Sequence, residues 1–325
     1  GANFANFEGQ LTATGAGGNF RLMSNVTDMS KTRLVVSAGT YVAHYNSGAA
    51  SEVAATLKIG ALSSASTATD ATLGGSSTYQ VGTLNTNTTF YGLLKAARIM
   101  KVGTGKLTLR TVGHTAPITV SGGTLELYNS TSTAFTSGMI TVNAGGTLTG
   151  NALAGSVTVN KGGIVTGGIN STVGTLRMGG NLTLSNGSIV LCQLSATSNS
   201  KLNVSGNIRH NGDTILVRVP ANRTLSIGDE ITVFTAGTQT GEFTVKVESE
   251  GENTYEMDAS TLLTDGKLRV VAITTRIPMV LTDESPVDVY SADGVKIRTA
   301  VPYGEALRGL SRGIYLVGGR KVAVK

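Results

Sequence analysis

Three segments of this 325-residue chain repeat one pattern: ITVSGGTLEL from Ile118, ITVNAGGTLTG from Ile140 and VTVNKGGIVTGG from Val157. Their Gly pairs (Gly122-Gly123, Gly145-Gly146, Gly162-Gly163) are 23 and then 17 residues apart. Alignment on those pairs puts Leu125, Leu148 and Val165 in one column and, with one more residue before the second and third pairs than before the first, Val120, Val142 and Val159 in another, while Thr119, Thr141 and Thr158 alternate to the opposite side. A period of two is the signature of a strand, and a Gly pair supplies the backbone freedom for a corner.

A unit of about 20 residues with two or three short strands cannot bury a core alone, but equivalent strands of successive units can stack as the chain coils. The pattern loosens yet persists in LRMGGNLTLSNGSIVLCQL from Leu176 and LNVSGNIRHNGDTILVRV from Leu202. The expected fold is therefore all-β, a parallel β-helix with like residues stacked in interior columns. An antiparallel sandwich would space its strands at about 8–12 residues without repeating their sequence. Composition agrees, with 43 Gly, 5 Pro, no Trp and 14% charged residues. Ser121, Asn143 and Asn160 share the position before the corner, where the two Asn side chains are expected to stack and bond neighbouring backbone. Ten to twelve coils at roughly 4.8 Å each would give a rod on the order of 50 Å long. Its ends need covers, a role expected for the first ~25 residues and for the segment after Leu225.

The stretch FYGLLKAARIMKVGTGKLTLRTVGHTAPITVSGGTLEL resembles the autotransporter-associated β-strand repeat. The residues that carry the likeness are Phe90, Gly92, Lys101, Gly103, Gly105, Leu107, Leu109, Thr119, Val120, Gly122, Gly123 and Leu125. The segment from Lys58 to Phe90 is similar to the coil that often precedes this repeat, and Leu225 to Phe243 to the segment that closes autotransporter-like passengers. The resemblance implies a right-handed β-helix displayed outside the cell. The last residues are similar to the C-terminal sorting-type domain of secreted Bacteroidetes proteins, through Tyr290, Gly294, Ile297, Leu310, Gly313, Ile314, Tyr315, Lys321 and Lys325. Turns at Asp293-Gly294 and Gly318-Gly319 between alternating strands mark that tail as a small antiparallel module. The expected divisions are 1–245 for the β-helix with its N-terminal cap, 246–277 for closing strands and linker, and 278–325 for the sorting-like domain, with a boundary at Ile277-Pro278.

Several kinds of chemistry find little support. The net charge of +6 comes from dispersed Lys and Arg without interleaved aromatics, unlike a nucleic-acid surface. No apolar run reaches the ~18 residues of a spanning helix. The opening GANFANFEGQ lacks a basic region followed by an apolar one, so any export signal is expected to lie upstream or to have been removed. Cys192, in the alternating run SIVLCQL, reads as a small buried hydrophobe, and His44, His114 and His210 are scattered. GTGK at Gly103 is followed by Leu107 where a phosphate loop needs a hydroxyl, and His210-Asn211-Gly212-Asp213 reads as a turn.

Carboxylates are the main constraint on catalysis, because polysaccharide cleavage needs them in pairs or as calcium ligands. None occurs from Leu127 through Gly212. Upstream, Glu8, Asp28, Glu52, Asp70 and Glu126 are far apart, and VESEGENTYEMD reads as an exposed, charge-rich hairpin rather than a calcium loop. With no cofactor or metal motif, the expectation is a secreted or cell-surface structural, adhesin-like protein without catalytic activity. A carbohydrate-binding or polysaccharide-degrading β-helix is the alternative, and the C-terminal carrier part of a longer surface protein is a third reading. Partners on this view are a host or environmental glycan or a surface protein, with secretion machinery engaging the tail. In the absence of Trp, the sugar platforms would be Tyr41, Tyr45, Tyr79, Tyr91 or Tyr128, of which Tyr41 and Tyr45 share one strand face.

Overall fold

The computed structural model describes residues 4–15, 17–46, 51–129, 135–275 and 282–324. The chain forms two compact units, Gly1–Thr275 and Arg276–Lys325. The first is a parallel β-helix. Its interior is lined by ladders that climb from coil to coil, and each ladder follows from the alternation in the sequence.

In the first ladder, Met29 lies beside Ile59, followed by Val81, Lys101, Val120, Val142, Val159, Leu184 and His210. The second stacks Leu107, Leu125, Leu148, Val165, Val190 and Ile215. A third brings Val42 to Leu73 and Leu94, and higher up Leu176 to Leu202 and Phe234. All the apolar members of these columns belong to one continuous buried core. Through the repeats, from Val120 to Val159 and from Leu107 to Val190, aliphatic side chains sit over aliphatic ones, so that part of the core is built by repetition of similar contacts.

The repeat columns have the register expected from the sequence: Val120 pairs with Val142 and Val142 with Val159, and Leu125 pairs with Leu148. The corners absorb the difference in length. Val120 and Val142 are one residue closer in number than the paired Gly123 and Gly146, and the additional residue in the second coil lies in the corner Asn143–Gly145. Glycine is required where this turn is tightest. Gly123 has φ +61°, and a Cβ there would stand 2.4 Å from the Gly105 carbonyl oxygen; a Cβ on Gly146 would meet that of Val120 at the same distance.

The pre-corner column is a run of side-chain hydrogen bonds. The Asn143 amide donates to Ser121 Oγ (3.3 Å), the Asn160 amide donates to Asn143 Oδ1 (2.8 Å), and the Ser185 hydroxyl donates to Asn160 Oδ1 (3.4 Å). The two Asn residues do stack, but they bond side chain to side chain rather than to neighbouring backbone. Backbone is reached one coil further on, where Asn211 donates to the Leu184 carbonyl (2.9 Å).

A lysine interrupts the valine column. Lys101, only 2% exposed, lies between Val81 and Val120, and its ammonium donates to the carbonyls of Val102 (2.7 Å), Gly103 (3.3 Å) and Gly122 (3.0 Å). It ties two successive corners together from inside. Burial pulls its pKa down to about 8. Cys192 is buried in the core, where its thiol donates to the Ser200 carbonyl and burial pushes its pKa up to about 12.

The ends differ from expectation in detail. Gly9–Ala13 and Gly18–Met23 are not a separate cap: they pair in parallel with Thr32–Val36 and Thr40–Tyr45 and form the first rung. At the other end the last rung, Phe234–Ser249, runs past residue 245. A short helix, Leu262–Asp265, and a three-stranded antiparallel sheet of Glu230–Thr232, Lys267–Thr275 and Asn253–Asp258 close that end, adding Leu262, Leu268 and Val270 to the core. VESEGENTYEMD is accordingly no hairpin. It leads from the last rung into Asn253–Asp258, which pairs with Lys267–Thr275 instead.

The second unit is a four-stranded antiparallel sheet around Val287, Val289, Ala306, Tyr315 and Val317. Gly294, Gly318 and Gly319 all have positive φ at its turns. The boundary expected at Ile277-Pro278, and Lys325 of the tail pattern, lie outside the described residues. Among the described residues no helix is long and apolar enough to cross a membrane.

Candidate functional site

The outer face of the second ladder carries the most developed polar site. Strands Lys106–Leu109, Gly123–Leu127 and Gly146–Gly150 pair in register, so Lys106, Thr124 and Thr147 follow one another in one outward row and Thr108, Glu126 and Thr149 in the next. Outward residues of a β-helix are ordinarily solvated, yet Glu126 is 2% exposed. The reason is a hairpin that folds back over this face. Gly168–Ile169 and Thr172–Val173 pair antiparallel, and Asn170 and Ser171 at the tip both take positive φ, 49° and 63°, as a two-residue hairpin turn of this hand requires.

The hairpin tip closes on the carboxylate. The Asn170 backbone N–H donates to Glu126 Oε2 (2.8 Å), while Lys106 Nζ (3.0 Å) and Thr108 Oγ1 (3.0 Å) both donate to Oε1. Lys106 also reaches Asn170 Oδ1 (3.4 Å), and Thr149 donates to the Gly168 carbonyl (2.7 Å). Removal of Glu126 from water is thus offset by one ammonium and two neutral donors, the condition under which a buried carboxylate is tolerated. The hairpin leaves a cavity of about 210 Å³ between itself and the threonine rows. The hydroxyls of Thr124, Thr147 and Ser171 and the amide of Gln193 line it, and none of these groups has a side-chain hydrogen-bond partner among the described residues. A second hollow, about 390 Å³, lies over Thr183, Arg209 and Thr240 on the first ladder, with no buried charge in its lining.

The five tyrosines fall into three settings. Tyr79 points inward, fully buried between Leu57 and Ile99, with its hydroxyl donating to the Gly74 carbonyl (2.9 Å). It is therefore not a surface platform, because its position in the alternation is an interior one. Tyr41 and Tyr45 do share a face, and the chain returning from residue 51 to 55 packs against it. Tyr41 donates to Glu52 Oε1 (3.0 Å), and burial together with that carboxylate pushes its pKa up to about 12. Tyr45 is 5% exposed and lies under the Arg21 guanidinium, 4.8 Å from the ring centre. Tyr91 and Tyr128 flank Arg110 on successive coils, with the guanidinium 3.5 Å from the Tyr128 centroid and 5.7 Å from that of Tyr91. Their faces are engaged by a cation.

The acids read from the sequence are distributed rather than gathered. Glu8 pairs with Lys31, Asp28 with Lys58, and Asp70 accepts the Gly39 N–H. Glu52 accepts from Tyr41, Glu250 lines a shallow hollow beside Arg218, and Glu126 is the buried one that joins the roofed cavity. His114 is buried with Nδ1 accepting the Leu94 N–H (3.0 Å), and burial pulls its pKa down to about 4. His210 forms a wholly buried pair with Asp213 across the Gly212 bulge, its ring between Phe234 and Phe243, so the expected turn is also a core element. No family model matches the chain and no curated protein matches it.

Proposed function

We propose that this chain is a secreted or cell-surface β-helical module with a structural, adhesin-like role and no catalytic activity. The observation that carries the reading is the roofed cleft of Lys106, Glu126 and the Gly167–Gly174 hairpin, set into outward rows of threonine on a stiff, repeating scaffold. Its carboxylate is held by three donors at once, an arrangement that fixes a shape and leaves no obvious partner for acid–base work. The likeness of Phe90–Leu127 to the autotransporter-associated repeat, and of the tail to a sorting-type domain, supports display outside the cell.

The test is adherence combined with turnover. Beads coated with the purified chain should adhere to glycan-bearing or matrix-coated surfaces, and pectic and host polysaccharides should survive incubation with it intact. Release of shortened polysaccharide would overturn the non-catalytic reading, and failure of the beads to adhere to any such surface would overturn the adhesin-like one.

A further inference from the structure

The cleft under the hairpin has the chemistry of a ligand site, and we propose that it binds a neutral, polyhydroxylated small molecule, a single hexose unit of a glycan. The proposal rests on the adhesin-like reading and specifies what the module would grip.

Three features select that class. The first is charge: Glu126 and Lys106, the charged groups of the cleft, are paired with each other at 3.0 Å, so the floor offers no free charge to an ion. A carboxylated or phosphorylated ligand would find its cation already neutralised and would bring a second negative charge close to a 2%-exposed carboxylate. The second is the supply of hydrogen-bonding groups. Thr124 and Thr147 lie on adjacent rungs, Ser171 projects from the hairpin opposite and Gln193 lies at the side, and each can both donate and accept. Vicinal hydroxyls of a sugar satisfy paired groups of this kind.

The third feature is size and rigidity. The cavity, about 210 Å³, is below the roughly 300–1,000 Å³ of pockets that take drug-sized ligands, so it suits one ring rather than a chain. The hairpin that forms it is held from both sides by the Asn170–Glu126 and Thr149–Gly168 bonds, so binding need not order a loose loop. No aromatic face lines the cleft, so the affinity expected is weak, in the millimolar range for a single site, and useful through display in many copies.

Saturation-transfer NMR on the intact chain with glucose, galactose, mannose and N-acetylglucosamine, and with galacturonate and N-acetylneuraminate as acidic counterparts, tests this. At least one neutral sugar should show saturable transfer, and both acids should show markedly less. The double substitution Thr124→Val/Thr147→Val keeps shape and strand preference while removing two hydroxyls, and should weaken the signal by about fivefold or more, as loss of two hydrogen bonds implies. Thr183→Val, in the other hollow, should leave it unchanged. Unchanged circular dichroism and melting establish that the variants are folded. Transfer to none of the neutral sugars, equal or stronger transfer to the acids, or a signal indifferent to the double substitution would each overturn the proposal. Loss of sugar binding with bead adherence intact would sink this site alone and leave the adhesin-like reading standing.

Discussion

The Asn143 and Asn160 side chains show how a single residue type can hold one coil to the next. Each makes side-chain bonds to the rung below or above, and removing a half-buried hydrogen bond costs about 0.5–1.5 kcal/mol. Asn143→Ala/Asn160→Ala removes all three bonds and should therefore lower stability by roughly 1.5–4.5 kcal/mol in thermal or denaturant unfolding; an unchanged midpoint would make the column ornamental. Lys101 is a second lock. Lys101→Met preserves the apolar stem but strips three carbonyls of a donor, and a loss of about 1–3 kcal/mol is expected in the same assay. His114 gives stability a pH dependence. Its pKa is about 4 when folded, against about 6.5 for an unperturbed imidazole, so between those values the unfolded chain takes up a proton that the folded one refuses. Stability should fall as pH drops from about 6.5 to about 4, by up to roughly 3 kcal/mol, and be insensitive to this group above that window. Denaturant titrations at several pH values should show a shallower acid slope for His114→Gln than for the natural chain.

Among the elements, the hairpin Gly168–Val173 is the one the sequence concealed. The inward columns were legible because Val120, Val142 and Val159 repeat a recognisable phrase, and alternation tells inside from outside. Tyr79 stands on the inside of that same alternation, in a strand whose sequence does not repeat the phrase, so residue type alone suggested a surface. The cleft has no local signature for another reason: Glu126 and Asn170 are 44 residues apart, and their meeting depends on how far each coil advances, which no local pattern encodes. A cue was present in Gly167-Gly168-Ile169-Asn170-Ser171, a Gly pair leading into two residues that tolerate or adopt positive φ. Glu126→Ala leaves the Asn170 N–H and the Lys106 ammonium without their shared acceptor. It should cost about 1–3 kcal/mol and accelerate hydrogen exchange at Asn170 while exchange at Val142, deep in the first ladder, stays slow.

At the scale of the whole β-helix, the terminal rungs carried the least sequence information. Gly9–Ala13 and Gly18–Met23 do not spell the repeat, yet they pair in the same parallel sense as the coils that do, because each coil supplies an edge that templates the next. The far end stops because the chain turns antiparallel at Asn253–Asp258 and Lys267–Thr275 and brings Leu262 and Leu268 over the core. One outward row climbs continuously through Asp28, Lys58, Gln80, Met100, Thr119, Thr141, Thr158, Thr183, Arg209 and Thr240. Spin labels on cysteines introduced pairwise at Asp28, Thr119 and Thr240 test it most directly, since Cys192 is buried and out of reach of the label. Pulsed dipolar distances should be near ~19 Å for Asp28 to Thr119, ~24 Å for Thr119 to Thr240 and ~43 Å for Asp28 to Thr240, the lengths of four, five and nine steps of about 4.8 Å. A longest distance well short of the sum of the other two would contradict the stacked helix.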